Sequence, residues 1–243
     1  MAMKKVVYTA VTDGYDLYPV INRNDGWDFV CFAESPLRSE GWDIELIDRK
    51  DMLVDNELMP DDKAKTTKRI KILPHVFLRD YDVSIWIDSS LQFKSAINLD
   101  DLTLDFIQSD KLMRVRTHPY RRCIYREAEE VAKMGLDTRR SVDSLMAKYR
   151  SEKFPEGFGL IEANFLLRKH NADPLVAFSE AWWANVRDFS RRDQLSFDYV
   201  RWKRPIDIDF IDDRVKPGVE VLSRGRDRGP FFNSTFYYYP TRI

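Results

Sequence analysis

The stretch "YDVSIWIDSSL" (residues 81–91) decides how this chain is read. A polar lead-in gives way to the apolar run Val83-Ser84-Ile85-Trp86-Ile87, which ends on Asp88, two serines and a leucine. A run so rich in β-branched and aromatic side chains, closed by turn formers, is the pattern of a buried strand. Its end delivers one carboxylate. Hard oxygen ligands of that kind hold Mg2+ or Mn2+, and the same acid caps turns through backbone N–H groups. The residues alone leave both readings open, because Ser90 stands where a second metal-binding aspartate would complete the pattern.

Toward the N-terminus, three further strands are expected at 4–12 ("KKVVYTAVT"), 27–34 ("WDFVCFAE") and 42–48 ("WDIELID"). Residues 61–80 open on acidic capping residues and predict a helix to Leu73, broken at Pro74. The segment with Asp88 is then the fourth strand. Toward the C-terminus, helices are expected at 98–110, 125–136, 141–154, 173–189 and 191–203, and residues 159–171 read as a strand passing into a loop. The helix expected at 173–189 has Asp173 as its expected N-cap, with Pro174 in the first turn. The Gly/Arg-rich, then aromatic, tail from residue 219 is expected to be mobile or ordered by a ligand. The element order predicts an α/β fold with a mixed sheet flanked by helices. In such open sheets ligands sit outside the carboxyl ends of strands, and Thr12-Asp13 and Asp88-Ser89-Ser90 fall at two such ends.

The 243 residues suffice for one large domain with a substantial core. Hydrophobic residues at 44% and charged residues at 33% describe a folded chain. Basic residues (39) nearly cancel acidic ones (40), so no global field recruits nucleic acid. Cys31 and Cys123 lack metal or disulfide spacing, which with no signal-like or membrane-spanning apolar stretch predicts a cytoplasmic protein. Peripheral membrane association stays open. The chain carries no GxSxG elbow, Walker loop, GxGxxG or HExxH. Serine hydrolases, P-loop NTPases and dinucleotide dehydrogenases are therefore disfavoured.

Three further clusters could carry chemistry. "RRDQLSF" heads a helix, placing Asp193 near the positive end of its dipole, with Arg192 and Gln194 beside it. "THPYRRCIYRE" crowds His118, Arg121 and Glu127 into ten residues, and arginine forks suit phosphate or carboxylate. "KTTKRIK" places Lys68, Arg69 and Lys71 shortly before the Asp88 strand. Each has a plainer reading: an ordinary helix start, a satisfied structural histidine and a solvated helix face.

In order, "KILPHVFLRDYDVSIWIDSSLQF", "HPYRRCIYREAEEVAKMG", "GLIEANFLLRKHN" and "RDQLSFDYV" resemble the glycosyltransferase-like family that includes the plant mucilage-related and turgor-regulation-defect proteins. The resemblance covers roughly residues 60–203. It implies a single GT-A type (Rossmann-like) domain that transfers a sugar from a nucleoside diphosphate sugar to a glycan or glycolipid hydroxyl, as in surface polysaccharide synthesis. Asp88 resembles the family's strand-end aspartate, His118, Arg121 and Glu127 its middle block, Glu162 and Asn164 its third, and Arg192, Asp193 and Gln194 its fourth. On this reading Thr12, Asp13, Lys68, Arg69, Lys71, Asp88 and Ser90 serve the nucleotide sugar, and residues 1–95 form the nucleotide-binding half. Residues 96–243 form the acceptor-side half, where His118, Arg121, Glu127, Asn164, Arg192 and Gln194 line the acceptor. Asp193, Asp88, His118 and Glu162 are the catalytic candidates, with Asp193 first as proton acceptor or donor-positioning group. Asp88 would hold any Mn2+ or Mg2+, although no histidine follows His170 to complete a metal site. The rival expectations are a lipid-amide hydrolase of ceramidase type and a non-catalytic sugar-nucleotide or glycan-binding module.

Overall fold

The computed structural model describes residues 2–12, 17, 19–20, 23–47, 53–54, 57–58, 63–93, 95, 97–211 and 232–233. In chain order the elements begin with β1 (Lys5–Val11), β2 (Trp27–Ala33) and β3 (Asp43–Leu46), followed by the two-residue pair β4 (Leu53–Val54) and β5 (Glu57–Leu58). Next come α1 (Lys63–Ile72), α2 (Pro74–Phe77), β6 (Val83–Ile87), β7 (Gln92–Phe93), α3 (Leu99–Gln108) and β8 (Met113–Thr117). The remainder is α4 (Ile124–Lys133), α5 (Arg139–Ser151), β9 (Ile161–Arg168), α6 (Asp173–Asp188), α7 (Gln194–Lys203), β10 (Ile208–Ile211) and β11 (Phe232–Asn233).

Seven strands form one sheet in the order β10-β8-β9-β6-β1-β2-β3. The pairs β1–β2, β1–β6, β2–β3 and β8–β10 are parallel, whereas β9 runs antiparallel to both neighbours. This is the mixed α/β sheet flanked by helices that the sequence predicts. The carboxyl ends of β1, β2, β6 and β8 therefore share one rim with the start of β9. The order reverses at β1, which has β2 on one side and β6 on the other. That reversal is where an open sheet leaves a crevice.

Alternation along the strands divides the core into two layers, because successive side chains point to opposite faces. Val6, Tyr8 and Ala10 of β1 join Trp86, Leu166, Trp182 and Phe197 on one face. Val7 and Val11 join Phe29, Ile85, Leu167 and Phe106 on the other, beneath α3. β9 keeps both faces supplied across a break in register. The ladder pairs Val115 with Leu166 and then Arg116 with Glu162, so β9 skips past Ala163, Asn164 and Phe165 while β8 advances one residue. Such bulges bend a strand and re-aim its side chains.

Several local expectations shift. Pro74 does end α1, but its fixed φ then opens the single turn of α2 from the first helical position. Ala172, not Asp173, is the N-cap of α6, and Asp173 lies in the first turn, where an acid still meets the helix dipole. Strands β8 and β10 have no counterpart in the expected elements; "MRVRT" and "IDFI" alternate charged and apolar residues too briefly to stand out. Asp61, Asp62 and nearly all of the tail lie outside the described residues, apart from β11, which pairs antiparallel with β7.

Candidate active site

Asp88 follows β6 directly, and its neighbours define a cleft of about 230 Å3 on the carboxyl rim. Its N–H donates to the Asn164 carbonyl at 3.0 Å, and its own carbonyl accepts from Leu91 N–H at 2.8 Å. The strand thus does run into a tight turn. Its carboxylate meanwhile accepts from Trp86 Nε1 at 2.9 Å and lies 3.6 Å from Lys71 Nζ. Burial pushes the Asp88 pKa up, but the Lys71 and Lys68 ammoniums and the Trp86 hydrogen bond together hold it below the usual carboxylate value.

Lys68 and Lys71 leave α1 on one side and meet the head of α7. Lys71 Nζ lies 2.6 Å from Asp193 Oδ2 and Lys68 Nζ 3.2 Å from Asp193 Oδ1. Asp193 and Lys71 are buried, so this is an ion-paired cluster inside the protein. Desolvation raises the Asp193 pKa, and the two lysines with Arg192 outweigh it, holding the carboxyl far below its ordinary range. Burial lowers the Lys68 pKa despite the attraction of Asp193. Asp193 is the N-cap of α7 but makes no side-chain cap, because its carboxylate turns to the lysines instead. Its carbonyl accepts from buried Trp182 Nε1 at 2.9 Å, which ties the site to α6.

A deeper layer fixes Lys71. Tyr8 Oη donates to the Lys71 carbonyl at 2.8 Å and is itself hydrogen-bonded by Arg168. Tyr8 and Arg168 are fully buried. The Trp86 ring packs edge-on against Tyr8 and lies 5.5 Å from Lys71 Nζ, within cation–π range.

On the opposite wall, His118 follows β8, and its N–H donates to the Leu160 carbonyl at 2.8 Å. Its Nδ1 accepts from the N–H groups of Tyr120 (3.2 Å) and Arg121 (3.0 Å), so a neutral ring carries its proton on Nε2. Nε2 lies 3.7 Å from Glu127, which also binds Arg121 through a short ion pair. Glu162, at the start of β9, pairs with Arg116 at 3.4 Å and is a quarter exposed. Asn164 sits in the register break, 5% exposed, and neither of its amide atoms has a hydrogen-bond partner among the described residues. Gln194 Nε2 donates to the Ile161 carbonyl at 3.0 Å and its Oε1 accepts from Arg192 at 3.3 Å.

The cleft therefore gathers Lys68, Lys71, Asp88, His118, Arg121, Glu127, Glu162, Asn164, Arg192, Asp193 and Gln194. Three expected members stand apart. Arg69 points to the other side of α1, over the Phe77 ring at 5.3 Å, and lines a separate cavity of about 350 Å3 with Glu45 and Arg79. Adjacent residues on a helix diverge by about 100°, so it could not accompany both Lys68 and Lys71. Ser90 is exposed in the turn and is not among the residues that line the cleft, and Thr12 is buried at the end of β1, also outside the lining. Asp13 lies outside the described residues. The larger cavity has no comparable convergence of charged groups, so the smaller one is the candidate. Sequence reasoning missed Glu130 and Met134, which line the cleft from α4. They follow Glu127 at helical spacings of three and seven, and that periodicity was the available signal.

The residues present do not fit a divalent cation. Asp88 and Asp193 both face the Lys71 ammonium, and the described residues hold no group of three His, Cys, Asp or Glu side chains placed to share a metal. No helix among the described residues is long and apolar enough to cross a membrane.

No curated protein sequence matches the chain. Among solved structures, the apo structure of the WbbM bifunctional glycosyltransferase aligns at 12% identity and a TM-score of 0.47, over 86% of this chain and 38% of that one. The chain thus spans well under half of WbbM. Apo mouse xyloside xylosyltransferase 1 aligns with the same identity and TM-score, over 86% of this chain and 85% of that one. A family described as "TOD1/MUCI70, glycosyltransferase-like domain" matches residues 47–213, which takes in α1, the Asp88 strand and every wall of the cleft. The chain belongs to the TOD1/MUCI70 glycosyltransferase-like domain family.

Proposed function

We propose that the chain is a glycosyltransferase that moves a sugar from a nucleoside diphosphate sugar to a hydroxyl of a glycan or glycolipid, in surface polysaccharide synthesis. The observation that carries this reading is the pair of lysines, Lys68 and Lys71, held by Asp193 beside Asp88 on the carboxyl rim of the sheet. Transfer breaks the bond between the anomeric carbon and the diphosphate and leaves negative charge on the departing oxygen. Fixed cations at that point stabilise the transition state without reorganising.

In this reading residues 1–95 supply the donor side through Lys68, Lys71 and Asp88, and the nucleoside extends along the rim toward Thr12. Residues 96–243 supply the acceptor side. Lys68 meets the diphosphate, Lys71 supports it from the floor, and Arg192 faces the acceptor side beside them. Asp193 is a positioning group: held far below the usual carboxylate range, it is a weak base and its work is to aim the two ammoniums. Glu162 takes the proton of the acceptor hydroxyl as the new bond to the anomeric carbon forms. His118, fixed by two backbone N–H groups, offers its Nε2 edge to the acceptor together with Arg121 and Glu127.

A thermal-shift panel of nucleoside diphosphates and nucleotide sugars tests the reading. Stabilisation by a nucleoside diphosphate, reduced in Lys68→Met, is expected; no stabilisation by any nucleotide refutes it. Ceramide cleavage without nucleotide binding would favour the hydrolase instead, and nucleotide-sugar binding without transfer the binding module.

A further inference from the structure

We propose that the Lys71 ammonium is a built-in cation that stands in the divalent-metal position of this site, bridging Asp88 and Asp193. Its purpose rests on the nucleotide-sugar reading above, whereas its placement rests on geometry alone. Lys71 Nζ lies 2.6 Å from one acid and 3.6 Å from the other, and the side chain is 1% exposed. These acids come from the end of β6 and the head of α7, far apart in sequence, and this ammonium is the charge between them. A divalent ion held by the same two carboxylates would sit within a few ångströms of a buried positive charge, where repulsion is poorly screened.

The lysine is also preplaced. The Tyr8 hydroxyl holds its carbonyl, Arg168 holds Tyr8, and the Trp86 ring faces Nζ while its indole N–H steers Asp88. Three buried side chains, Tyr8, Arg168 and Trp86, thus serve one ammonium, more than a solvated lysine requires. Ser90 supplies no second carboxylate next to Asp88, which agrees with this charge balance. Because the charge is covalently tethered, it leaves with neither product nor chelator.

Titration of Mn2+ alone, followed by loss of the free-ion electron paramagnetic resonance signal, tests the assignment. Wild type is expected to bind no stoichiometric Mn2+ at neutral pH. Lys71→Ala, which removes the ammonium and opens its space, is expected to gain a site occupied by a single Mn2+ per chain, and Lys71→Ala with Asp88→Asn to lose it again. Stoichiometric uptake by wild type that disappears in Asp88→Asn overturns the proposal. So does a folded Lys71→Ala protein, checked by circular dichroism, that takes up no Mn2+. Should Lys71→Ala fail to fold, wild type and Asp88→Asn decide: uptake that depends on Asp88 overturns the proposal and absence of uptake in wild type upholds it. Lys71→Met, which keeps the apolar stem, adds a second readout. It is expected to lose the thermal shift produced by uridine diphosphate in wild type while gaining no Mn2+ site, since its side chain still fills the space; an unchanged shift overturns the proposal. The Mn2+ titrations contain no nucleotide, so failure of the transferase reading, with no nucleotide bound by wild type, registers separately.

Discussion

Replacing Asp193 by asparagine removes the counterion shared by two lysines while keeping the side chain's size. In the native protein Lys71 is 1% and Lys68 19% exposed at the side chain, and Asp193 lies within 3.2 Å of both. Breaking a buried ion pair from one side costs about 3–5 kcal/mol, because the remaining charge is left in a poor solvent. Asp88, 3.6 Å from Lys71, gives one lysine a substitute partner, which places the expected loss near the lower end, about 3 kcal/mol. For a chain of this size that corresponds to a fall in Tm of roughly 6–12 °C. Urea denaturation monitored by tryptophan fluorescence measures the loss at pH 7. A double-mutant cycle with Lys71→Met then isolates the pair, with an expected coupling of about 2 kcal/mol. The sign with pH is also set. The folded pKa of Asp193 lies below its unfolded value, so its contribution is present above about pH 4 and vanishes as pH falls through the folded pKa. Asp193→Asn should therefore flatten the acid limb of the stability curve. A loss below about 1 kcal/mol, or additivity within about 0.5 kcal/mol in the cycle, would refute the claim that these charges form one cluster.

Other consequences are as open to measurement. His170 is buried with Nε2 2.9 Å from the Leu78 carbonyl, and burial pushes its pKa from 6.5 down to about 4. The unfolded chain then binds a proton that the folded one refuses, so stability should fall by about 1.4 kcal/mol per pH unit between those values, and His170→Gln should blunt that slope in urea titrations. Asn164→Ala should shrink the thermal shift caused by a nucleotide sugar while changing unliganded stability by less than about 1 kcal/mol, since its amide has no described partner to lose; an equal shift in mutant and wild type would remove Asn164 from the site. Asn98→Ala deletes the N-cap of α3, which accepts from the N–H groups of Asp100 and Asp101, and should cost about 1 kcal/mol in thermal unfolding without altering nucleotide binding.

The family, the α/β class and most of the segments that meet in the cleft were legible in the chain. Val83–Ile87 announces a buried strand by composition, and Pro74 and the 173–189 pattern announce helix boundaries, because backbone sterics act over a few residues. Asp88 was legible as a strand-end acid for the same reason. Lys68 and Lys71 could be named together but not separated from Arg69, since the direction of a helix face depends on what packs against it. Strands β8 and β10 escaped notice because a short strand draws its stability from its neighbours rather than from its own residues.

Only the tertiary structure decided what surrounds Asp88. The antiparallel course of β9, its break in register at Asn164, and the arrival of Asp193 beside Lys71 are contacts between segments from about forty-five to about one hundred and twenty positions apart. Periodicity is blind to such contacts. In the sequence the opening stretch poses a choice between a metal ligand and a turn. In the fold its aspartate closes a turn with its backbone and faces a buried ammonium with its side chain. Local sterics dictate the first. The second exists because long-range packing buries Lys71 and Asp193 together beside the partly exposed Asp88, where the charges neutralise one another.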